Sequence, residues 1–376
     1  MITVHLIAGA RPNFVKIAPL YHALKRAPWA RCLLVHTGQH YSPEMSDAFF
    51  ADLSLPAPDH HLGVGSAGHA PQIAATMQHY DALCAAEAPD WTIVVGDVNS
   101  TLACSLVAVK RGIPCAHLEA GLRSRDRSMP EEINRLLTDQ ACDLLWAPSA
   151  DAVDNLLSEN VPAERIELVG NIMIDTLELL APKVAAAGLP ANLDLRDFVL
   201  ATFHRPSNVD APAQLTRIVD HMTSLAEVRP VVWPLHPRTR ARLEDAQLLA
   251  RLERDPRVHI LPPQGYIAFM ALVRAAGLLV TDSGGVQEET SYLGIPCLTV
   301  RRNTERPITV ELGTNRLIEP EQIAELGTAA LARGERVRPT IPNWDGHTAG
   351  RIVESLRKAA MPAAPAAPAA EVAKAG

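Results

Sequence analysis

The sequence predicts an α/β protein with two doubly wound domains that face each other across a cleft. The chain has 376 residues, which is enough for two domains of roughly 100 to 200 residues each. Hydrophobic residues make up 48% and charged residues 20% of it, an ordinary globular composition. Short β-rich runs alternate with helix-length segments, and runs that are buried on both faces and separated by helices form parallel βα units.

The predicted strands are ten short apolar runs. They are VHLIA, CLLVH, WTIVVG, IPCAH and LLWAP in the first half, and FVLAT, VVWPL, VHIL, LLVTD and IPCLTV in the second. We expect the break between the domains near VGNIMIDTLELL, which gives a first domain of residues 1–172 and a second domain of residues 173–357. Residues 358–376 are rich in Ala and Pro and hold few large apolar groups, so we expect a disordered tail there.

The residue counts bear on partners and compartment. Lys and Arg number 35 and Asp and Glu number 42, and the net charge of −7 disfavours a nucleic-acid binder, which needs a basic face. The apolar stretches are far shorter than the roughly 18 residues of a membrane helix. The segment MITVHLIAGARPNF is predicted to be a first strand and not a signal peptide. Six cysteines without a CxxC pair indicate a reducing cytoplasm, with neither zinc nor disulfides.

Polar clusters follow nearly all of the predicted strands at their carboxyl ends. They are GARPNFVK, TGQHY, GDVNST and LEAGLRS in the first half, and FHRPSN, HPRTR, PPQGY, DSGGVQEE and RRNTERP in the second. Ligands of open α/β sheets collect at this edge, because loops and helix N-termini converge there. The sequence therefore predicts a binding site in the cleft.

The segment DSGGVQEE predicts a phosphate-binding loop. Ser283, Gly284 and Gly285 stand between a strand and a helix, where small residues let backbone N–H groups approach an anion. The alternative is an ordinary helix start that Ser283 caps, with Glu288 and Glu289 complementing the helix dipole. The segment by itself leaves both interpretations open.

Basic residues at other strand ends point to the same kind of ligand. In GARPNFVK, Arg11 and Lys16 would place two cations near a diphosphate, at the helix end where positive charge opposes the dipole. His204 and Arg205 in FHRPSN, and His236 in HPRTR, repeat this pattern in the second half. The alternative interpretation is a set of solvated surface residues.

Carboxylates gather at strand ends of the first half. Asp97 ends a strand in GDVNST, Glu119 ends the next in HLEAGLRS, and Glu131 follows Pro130 in MPEEINR. Asp97 and Glu131 also fit ordinary positions at helix N-termini, whereas Glu119 directly follows an apolar strand. Several carboxylates beside a bound phosphate suggest proton transfer, because burial and like charges raise a carboxyl pKa towards neutrality.

Two patterns that would indicate a cofactor do not fit their context. GVGSAG, residues 63–68, matches the dinucleotide pattern GxGxxG, yet it follows the loop-like PAPDHHL and not a predicted strand. His36 and His40 straddle a strand end and share no helical face, so they do not predict a metal pair. We therefore expect neither NAD nor a metal ion.

Taken together, the motifs resemble a known enzyme family. GARPNFVKIAPL, TGQHY, GDVNSTLA, HLEAGLRS, MPEEINRLLTD, GNIMIDTL, FHRPSN, DSGGVQEE and TERP are similar, in order and over about residues 1–355, to the non-hydrolysing UDP-N-acetylglucosamine 2-epimerases. The resemblance implies two Rossmann-like domains of the glycosyltransferase-B type, a last helix that returns to the first domain, and usually a homodimer. It implies interconversion of UDP-N-acetylglucosamine and UDP-N-acetylmannosamine without a cofactor, for surface polysaccharide.

Residue roles follow from the matching motifs. The resemblance implies that Asp97, Glu119 and Glu131 are the acid/base and active-site carboxylates, and that His204 contacts the leaving phosphate. The resemblance also implies that Arg11 and Lys16 bind the substrate and that the UDP moiety is held by Gln264, Phe269, Ser283, Gly284, Gly285, Glu289 and Arg306. The basic pattern at strand ends adds Arg205 and His236 as predicted substrate-binding residues.

Departures from the family pattern leave alternatives open. QHYSPEMSD differs from the usual pattern in a segment that borders the family's activating UDP-sugar site, which predicts weak activation by UDP-N-acetylglucosamine. The GARP and TGQHY variants also occur in 2-epimerases of UDP-diacetamido-uronic acids. A glycosyltransferase of the same architecture and a nucleotide-sugar-binding regulator are further alternatives, against which the acids Glu119 and Glu131 argue.

Overall fold

Two parallel β-sheets joined by helices form the protein, in agreement with the predicted fold class. The structure is a computed structural model, in which the description of Arg11 covers the backbone alone. It describes residues 1–38, 50–190, 193, 195–334 and 336–361. The segment QHYSPEMSD and the chain beyond residue 361 lie outside the described residues.

The first sheet has seven parallel strands among the described residues, in the order β3-β2-β1-β4-β5-β6-β7. The strands are β1 (Ile2–Ala8), β2 (Ala30–His36), β3 (His60–His61), β4 (Trp91–Val95), β5 (Cys115–Leu118), β6 (Leu144–Ala147) and β7 (Ile166–Leu168). Every position of β4 and β5 is buried, as expected for parallel strands that are covered on both faces.

The second sheet has six parallel strands in the described part of the chain, in the order β10-β9-β8-β11-β12-β13. The strands are β8 (Val199–Thr202), β9 (Val231–Pro234), β10 (Val258–Leu261), β11 (Leu278–Thr281), β12 (Cys297–Val300) and β13 (Asn315–Ile318). The chain reverses its winding direction between β1 and β4 in one sheet and between β8 and β11 in the other. Such switch points open a crevice at the carboxyl ends of the strands.

Helices follow most of the strands. They are α1 (Arg11–Lys25), α2 (His69–Ala86), α3 (Asn99–Lys110), α4 (Pro130–Ala141), α5 (Ala150–Ser158), α6 (Ile172–Ala187), α7 (Pro206–Val209), α8 (Pro212–Ala226), α9 (Pro237–Asp245), α10 (Leu249–Arg254), α11 (Tyr266–Ala275), α12 (Val286–Leu293), α13 (Ile308–Glu311), α14 (Ile323–Arg333) and α15 (Thr348–Ala360). Proline begins α4, α8 and α9, where its missing N–H leaves no hydrogen bond unmade.

All ten predicted strands are present, and the sequence missed β3, β7 and β13. The missed strands lie at sheet edges. Their residues are short runs with charged or polar side chains, HH, IEL and NRLI. An edge strand is solvated on one side, so it needs no continuous apolar run and gives a weak sequence signal.

Helix α6 connects the two sheets. It packs against α1 on one side and against α11 and α12 on the other. The hydroxyl of Thr176 on α6 donates a hydrogen bond of 2.8 Å to the carbonyl of Val15 on α1. The domain boundary predicted after residue 172 falls at the start of α6, and it stays a prediction.

The last described helix, α15, packs on α1 and α6. It is anchored by Trp146 on β6, whose indole N–H donates to Ser355 Oγ at 2.8 Å. The helix runs to Ala360, so the predicted start of the tail at Lys358 is wrong by three residues. Lys and Ala are strong helix formers and extend the helix until Met361, which precedes a proline.

Two further features concern the chain as a whole. All six cysteines are buried as free thiols. Among the helices of the described residues, none is long and apolar enough to cross a membrane.

Candidate active site

The first sheet places a cation and a carboxylate together at its switch point. Lys16 on α1 forms an ion pair with Glu119, which directly follows β5, and both side chains are largely buried, at 13% and 3% exposure. Gly96, at the end of β4, has a φ of +68°, and a Cβ there would lie 3.4 Å from Lys16 Nζ. Glycine is therefore required at this position for the backbone conformation and leaves room for the ion pair.

Asp97 is held by helix α4. Arg135 donates a hydrogen bond of 2.5 Å to Asp97 Oδ2, and its other terminal nitrogen donates to Glu132 Oε2 at 2.7 Å. Burial alone would raise the pKa of Asp97, but Arg135 and Lys16 hold that pKa below its usual value. Asp97 is therefore a charged carboxylate, and the sequence had given no signal for Arg135, whose position matches an ordinary helical surface residue.

Glu131 lies in the first turn of α4 and is partly buried. Within the described residues it makes neither a hydrogen bond nor an ion pair, unlike its neighbour. Glu132 accepts hydrogen bonds from the backbone N–H groups of Ser124 and Arg125 at 2.9 and 2.8 Å. The structure thus gives Glu132 a role in fixing the loop before α4 and leaves the carboxylate of Glu131 available.

The second sheet fixes its histidine through Asp282, the residue that follows β11. This fully buried carboxylate accepts hydrogen bonds from the backbone N–H of His204 at 3.1 Å and of Arg205 at 2.9 Å. His204 Nδ1 lies 3.2 Å from the same group, and the His204 ring remains 39% exposed. Burial would raise the pKa of Asp282, but His204 and the N–H donors hold it below its usual value. Asp282 therefore fixes the position of the His204 backbone and ring.

The Ser-Gly-Gly loop begins helix α12. Gly285 is the N-cap residue and no side chain caps the helix, so the alternative in which Ser283 is the cap is wrong. The N–H of Ser283 instead donates to Thr281 Oγ1 within the loop. A Cβ on Gly284 would lie 3.2 Å from Arg306 Nη1, whereas a Cβ on Gly285 would meet nothing within 4 Å. The N-terminus of α12 is thus open to a ligand and has Arg306 beside it.

Arg306 is the main cation on the second side of the cleft. Its Nε lies 2.9 Å from Glu288 Oε1, without the alignment of a hydrogen bond, and its Nη1 lies 3.7 Å from Glu305 Oε2. Burial alone would lower the pKa of Arg306, but Glu288, Glu119 and Glu305 raise it. The influence of Glu119, which belongs to the other sheet, shows that the two halves of the site act on each other electrostatically.

Glu289 lies deeper on α12 and accepts a hydrogen bond of 2.7 Å from the hydroxyl of Tyr266. Burial raises the pKa of Glu289 to about 7, a rise that Tyr266 reduces and the neighbouring Glu288 adds to. The sequence had not identified Tyr266, although it stands in PPQGY at a strand end, where the positional argument would have found it.

Some of these groups line a cavity of about 420 Å³ between the two sheets. Its lining residues are Pro12, Val15, Lys16, Asp97, Met173, Tyr266, Phe269, Ser283, Gly285, Val286, Glu288, Glu289 and Arg306. The cavity brings together seven of the residues that the sequence had pointed to, namely Lys16, Asp97, Phe269, Ser283, Gly285, Glu289 and Arg306. Lys16 and Asp97 come from the first half of the chain, whereas Arg306, the aromatic residues and the α12 N-terminus come from the second. This combination suits a diphosphate with an attached polar group.

The other predicted site residues whose side chains are described do not line this cavity, and they are Glu119, Glu131, His204, Arg205, His236, Gln264 and Gly284. His236 is the N-cap of α9, and its ring centroid lies 5.6 Å from that of His204. Gln264 donates to the carbonyl of Pro262 at 2.7 Å. Arg205 lines a larger crevice of about 880 Å³ on the neighbouring side of the second sheet, which holds none of the predicted catalytic residues. The side chain of Arg11 lies outside the described residues.

The structure differs from the expectation for GVGSAG, one of the two sequence patterns that would indicate a cofactor. GVGSAG follows Leu62 and the two-residue strand β3, so the expectation that no strand precedes it is wrong. A strand of two histidines at the sheet edge was too short to be seen in the sequence. No group of three or more His, Cys, Asp or Glu side chains in the described part of the chain is placed to hold a metal ion.

Comparison with known proteins gives consistent matches over most of the chain. The family model described as UDP-N-acetylglucosamine 2-epimerase matches residues 22–357. The UDP-N-acetylglucosamine 2-epimerase of Methanocaldococcus jannaschii is 38% identical over 93% of this chain and 98% of its own. The UDP-2,3-diacetamido-2,3-dideoxy-D-glucuronate 2-epimerase of Pseudomonas aeruginosa is 39% identical over 94% of this chain and 98% of its own.

Solved structures have the same fold. The crystal structure of the Methanocaldococcus jannaschii enzyme in complex with UDP-GlcNAc and UDP superposes with a TM-score of 0.84, at 38% identity over 94% of this chain and 99% of that chain. The UDP-GlcNAc 2-epimerase from Neisseria meningitidis bound to UDP-GlcNAc gives a TM-score of 0.84, at 30% identity over 95% of this chain and 100% of that chain. The two-domain, glycosyltransferase-B-like fold is thereby confirmed.

Proposed function

The chain belongs to the UDP-N-acetylglucosamine 2-epimerase family, and from that membership we propose that it interconverts UDP-N-acetylglucosamine and UDP-N-acetylmannosamine. The observation that carries the proposal is the cavity that Asp97 and Lys16, the ion-pair partner of Glu119, line together with Arg306 and the α12 N-terminus. Such a cavity combines groups that move protons with groups that hold a diphosphate.

The proposed reaction inverts C2 of the sugar in two half-reactions. A carboxylate removes the C2 proton while the C1–oxygen bond to UDP breaks, and the electron pair of the C–H bond becomes the C1–C2 double bond of 2-acetamidoglucal. An acid then returns a proton to the opposite face of C2 as UDP adds back to C1. The overall change is an isomerisation, so atoms and charge balance without an oxidant, a reductant or a metal ion.

We assign proton transfer to Asp97, Glu119 and Glu131. The charge of Asp97, which Arg135 and Lys16 maintain, supports its role as an acceptor of a proton or as a stabiliser of developing positive charge. Glu119 Oε1 is buried and has no hydrogen-bond partner among the described residues, so this oxygen is available to substrate. The free carboxylate of Glu131 supports its inclusion.

We assign the UDP moiety to the second sheet. Arg306, Ser283, Gly284 and Gly285 would hold the phosphates, because a helix N-terminus and a guanidinium both favour negative charge. His204, oriented by Asp282, would contact the leaving phosphate. Lys16, together with Arg11 of the same segment, would neutralise the negative charge of the substrate from the opposite side of the cleft.

The nucleoside would lie further along α11 and α12. Phe269 offers an aromatic face, and Glu289 with Tyr266 offers a carboxylate for the hydroxyl groups of a ribose. Gln264 would contact the nucleobase, while His236 and Arg205 would contact the substrate at the edge of the cleft.

The experiment that tests the proposal is turnover of defined UDP-sugars by the purified protein. Addition of UDP-N-acetylglucosamine should give UDP-N-acetylmannosamine, identified by nuclear magnetic resonance of the intact nucleotide sugar. Release of free N-acetylmannosamine and UDP, or no reaction at all, would contradict the proposal.

A second candidate is the 2-epimerisation of a UDP-diacetamido-uronic acid. This candidate is favoured by the sequence identity to the Pseudomonas aeruginosa enzyme, which is about as high as the identity to the UDP-N-acetylglucosamine 2-epimerases. Parallel assays with both UDP-sugars, at equal concentration, distinguish the two by the ratio of their kcat/KM values. A glycosyltransferase would require an acceptor and would leave C2 unchanged.

We also propose a homodimer located in the cytoplasm, which supplies amino sugars for surface polysaccharide. The resemblance of the motifs supports the homodimer and the pathway. The six buried free thiols support a reducing compartment. Light scattering of the purified protein tests the dimer, because a monomer and a dimer differ twofold in mass.

A further inference from the structure

A fully buried pair of residues lies behind the strand ends that carry Asp97 and Glu119. His117 belongs to β5 and Asp139 belongs to α4, and neither side chain is exposed. His117 Nδ1 lies 2.6 Å from Asp139 Oδ1. Neither residue lines the cavity, so the pair has no direct contact with a ligand there.

The ring of His117 reaches the neighbouring strand with its second nitrogen. His117 Nε2 lies 2.8 Å from the carbonyl oxygen of Gly96, the residue before Asp97. A carbonyl oxygen only accepts hydrogen bonds, so Nε2 carries a proton. Burial would raise the pKa of Asp139, but His117 and Arg123 hold that pKa below its usual value, so the carboxylate also accepts. Both ring nitrogens therefore face hydrogen-bond acceptors, one on α4 and one at the end of β4.

The carboxylate of Asp139 also contacts the chain after Glu119. Its Oδ2 accepts a hydrogen bond of 3.1 Å from the backbone N–H of Gly121. The same oxygen lies 2.7 Å from Arg123 Nη2. Asp139 thus forms hydrogen bonds with His117, two positions before Glu119, and with Gly121, two positions after it.

The backbone of Glu119 needs such a constraint. Its φ is +70°, in the left-handed region that residues with a Cβ avoid. A strained conformation of this kind persists only where the surrounding structure fixes it. The contacts of Asp139 with the residues on both sides of Glu119 supply this constraint. They keep the carboxylate of Glu119 turned towards Lys16.

We propose that His117 and Asp139 are positioning residues for the reaction, which fix Glu119 in its left-handed conformation and fix the Gly96 carbonyl beside Asp97. This inference rests on the proposed function, in which Glu119 and Asp97 act on the C2 proton. A catalytic group that shifts by about 1 Å can lose roughly 100-fold in rate. The pair would therefore affect kcat without touching the substrate.

Two substitutions of Asp139 test this. Asp139→Leu removes both acceptor oxygens, and we expect kcat to fall by about 100-fold, with UDP affinity by calorimetry nearly unchanged because the UDP groups lie on the other sheet. Asp139→Asn retains one acceptor oxygen, and we expect an intermediate kcat, about tenfold below that of the wild type. Val107→Ala, a buried position of α3 in the hydrophobic cluster that also contains Cys115 and Ala120, controls for lost stability. It should lower the melting temperature and leave kcat unchanged.

The outcomes separate the possibilities. A folded Asp139→Leu protein with the kcat of the wild type would overturn the proposal. If circular dichroism shows that Asp139→Leu does not fold, Asp139→Asn decides, and wild-type kcat in that variant overturns the proposal as well. A drop in kcat in Val107→Ala equal to that in the Asp139 variants would also overturn it, since lost stability would then explain every result.

A measurement without turnover distinguishes this inference from the proposed function. In ¹⁵N-histidine-labelled wild type, the ring whose signals shift most in Asp139→Asn should carry a proton on Nε2, which the Gly96 carbonyl accepts. A ring without a proton on Nε2 would overturn the positioning role. Wild-type protein that is inactive on UDP-sugars but shows this Nε2 proton would sink the proposed function and leave the buried pair established.

Discussion

Lys16 and Glu119 form an ion pair across 103 residues of sequence. They meet because β1, which precedes Lys16, and β5, which precedes Glu119, lie on either side of β4 in the first sheet. The parallel arrangement delivers both side chains to the same edge, where Asp97 follows β4 between them. One oxygen of Glu119 is buried without a hydrogen-bond partner among the described residues.

Replacing Glu119 by Gln should lower kcat by about 100-fold or more, which is the range for a lost general acid or base. The amide keeps the size of the side chain but cannot exchange a proton. UDP affinity, measured by calorimetry, should change little because the UDP groups belong to the second sheet. Glu167→Gln, on an exposed position of β7, is the matched control and should keep full activity. Full activity in Glu119→Gln would remove this residue from the chemistry.

In heavy water the wild-type enzyme should place deuterium at C2 of the product. The proton removed from C2 is held by a carboxylate next to a cavity that opens to solvent, so it exchanges before its return. Proton nuclear magnetic resonance of the product measures the loss of the C2 signal. Product that retains all of its original C2 hydrogen would argue against the elimination mechanism or against exchange.

The pH dependence of stability should change when Glu289 is replaced by Gln. Burial raises the pKa of Glu289 from its ordinary value of 4.5 to about 7. Between these two pH values the folded state binds more protons than the unfolded state, so the free energy of unfolding falls as the pH rises. The loss amounts to about 3.5 kcal/mol at most, since each pKa unit corresponds to about 1.4 kcal/mol.

Glu289→Gln cannot ionise, so its stability relative to the wild type should rise from pH 5 to pH 8. Urea unfolding at both pH values measures this difference. Glu325→Gln, on the exposed side of α14, serves as the control and should show no such trend. A constant difference between Glu289→Gln and wild type across this range would show that Glu289 titrates normally.

Gly121→Ala should destabilise the protein far more than Gly112→Ala. Both glycines have a positive φ, +83° and +71°, so a left-handed alanine costs each variant about 1 kcal/mol. A Cβ on Gly121 would also lie 2.3 Å from the carbonyl oxygen of Ala152, whereas a Cβ on Gly112 meets nothing within 4 Å. We expect a loss of about 3 kcal/mol for Gly121→Ala, because overpacking adds to the conformational cost. Equal losses in chemical denaturation would contradict the steric argument.

The parts of the fold that the sequence predicted are those with a strong local signal. Buried parallel strands are continuous apolar runs, and each of the ten was recognised in that way. The strand β13, with Arg316 and Asn315, carries too much polar surface at the sheet edge for such recognition. The end of α15 was misjudged because the Ala-rich sequence after Lys358 is compatible with both helix and tail.

The site was predicted where residues follow strands and was missed where tertiary packing decides. Ser283, Lys16 and Asp97 stand directly after strands or in the first turns that follow them, so the positional argument located them. Arg135 comes into the site only because α4 lies across the end of β4, and nothing in the segment INRLLTD marks one arginine as buried. Buried polar networks depend on distant partners, which a single sequence does not reveal.

Helix α15 closes the chain on the sheet with which it began, so the second sheet is joined to the first by two covalent crossings and not by one. Because the second sheet is connected to the first at two points, it can rotate about the line through these points but has few other relative motions. Motion of the two sheets is thereby restricted to opening and closing of the crevice. A protease cut near residue 189 would leave fragments that stay associated, because the second fragment keeps α15 seated against Trp146.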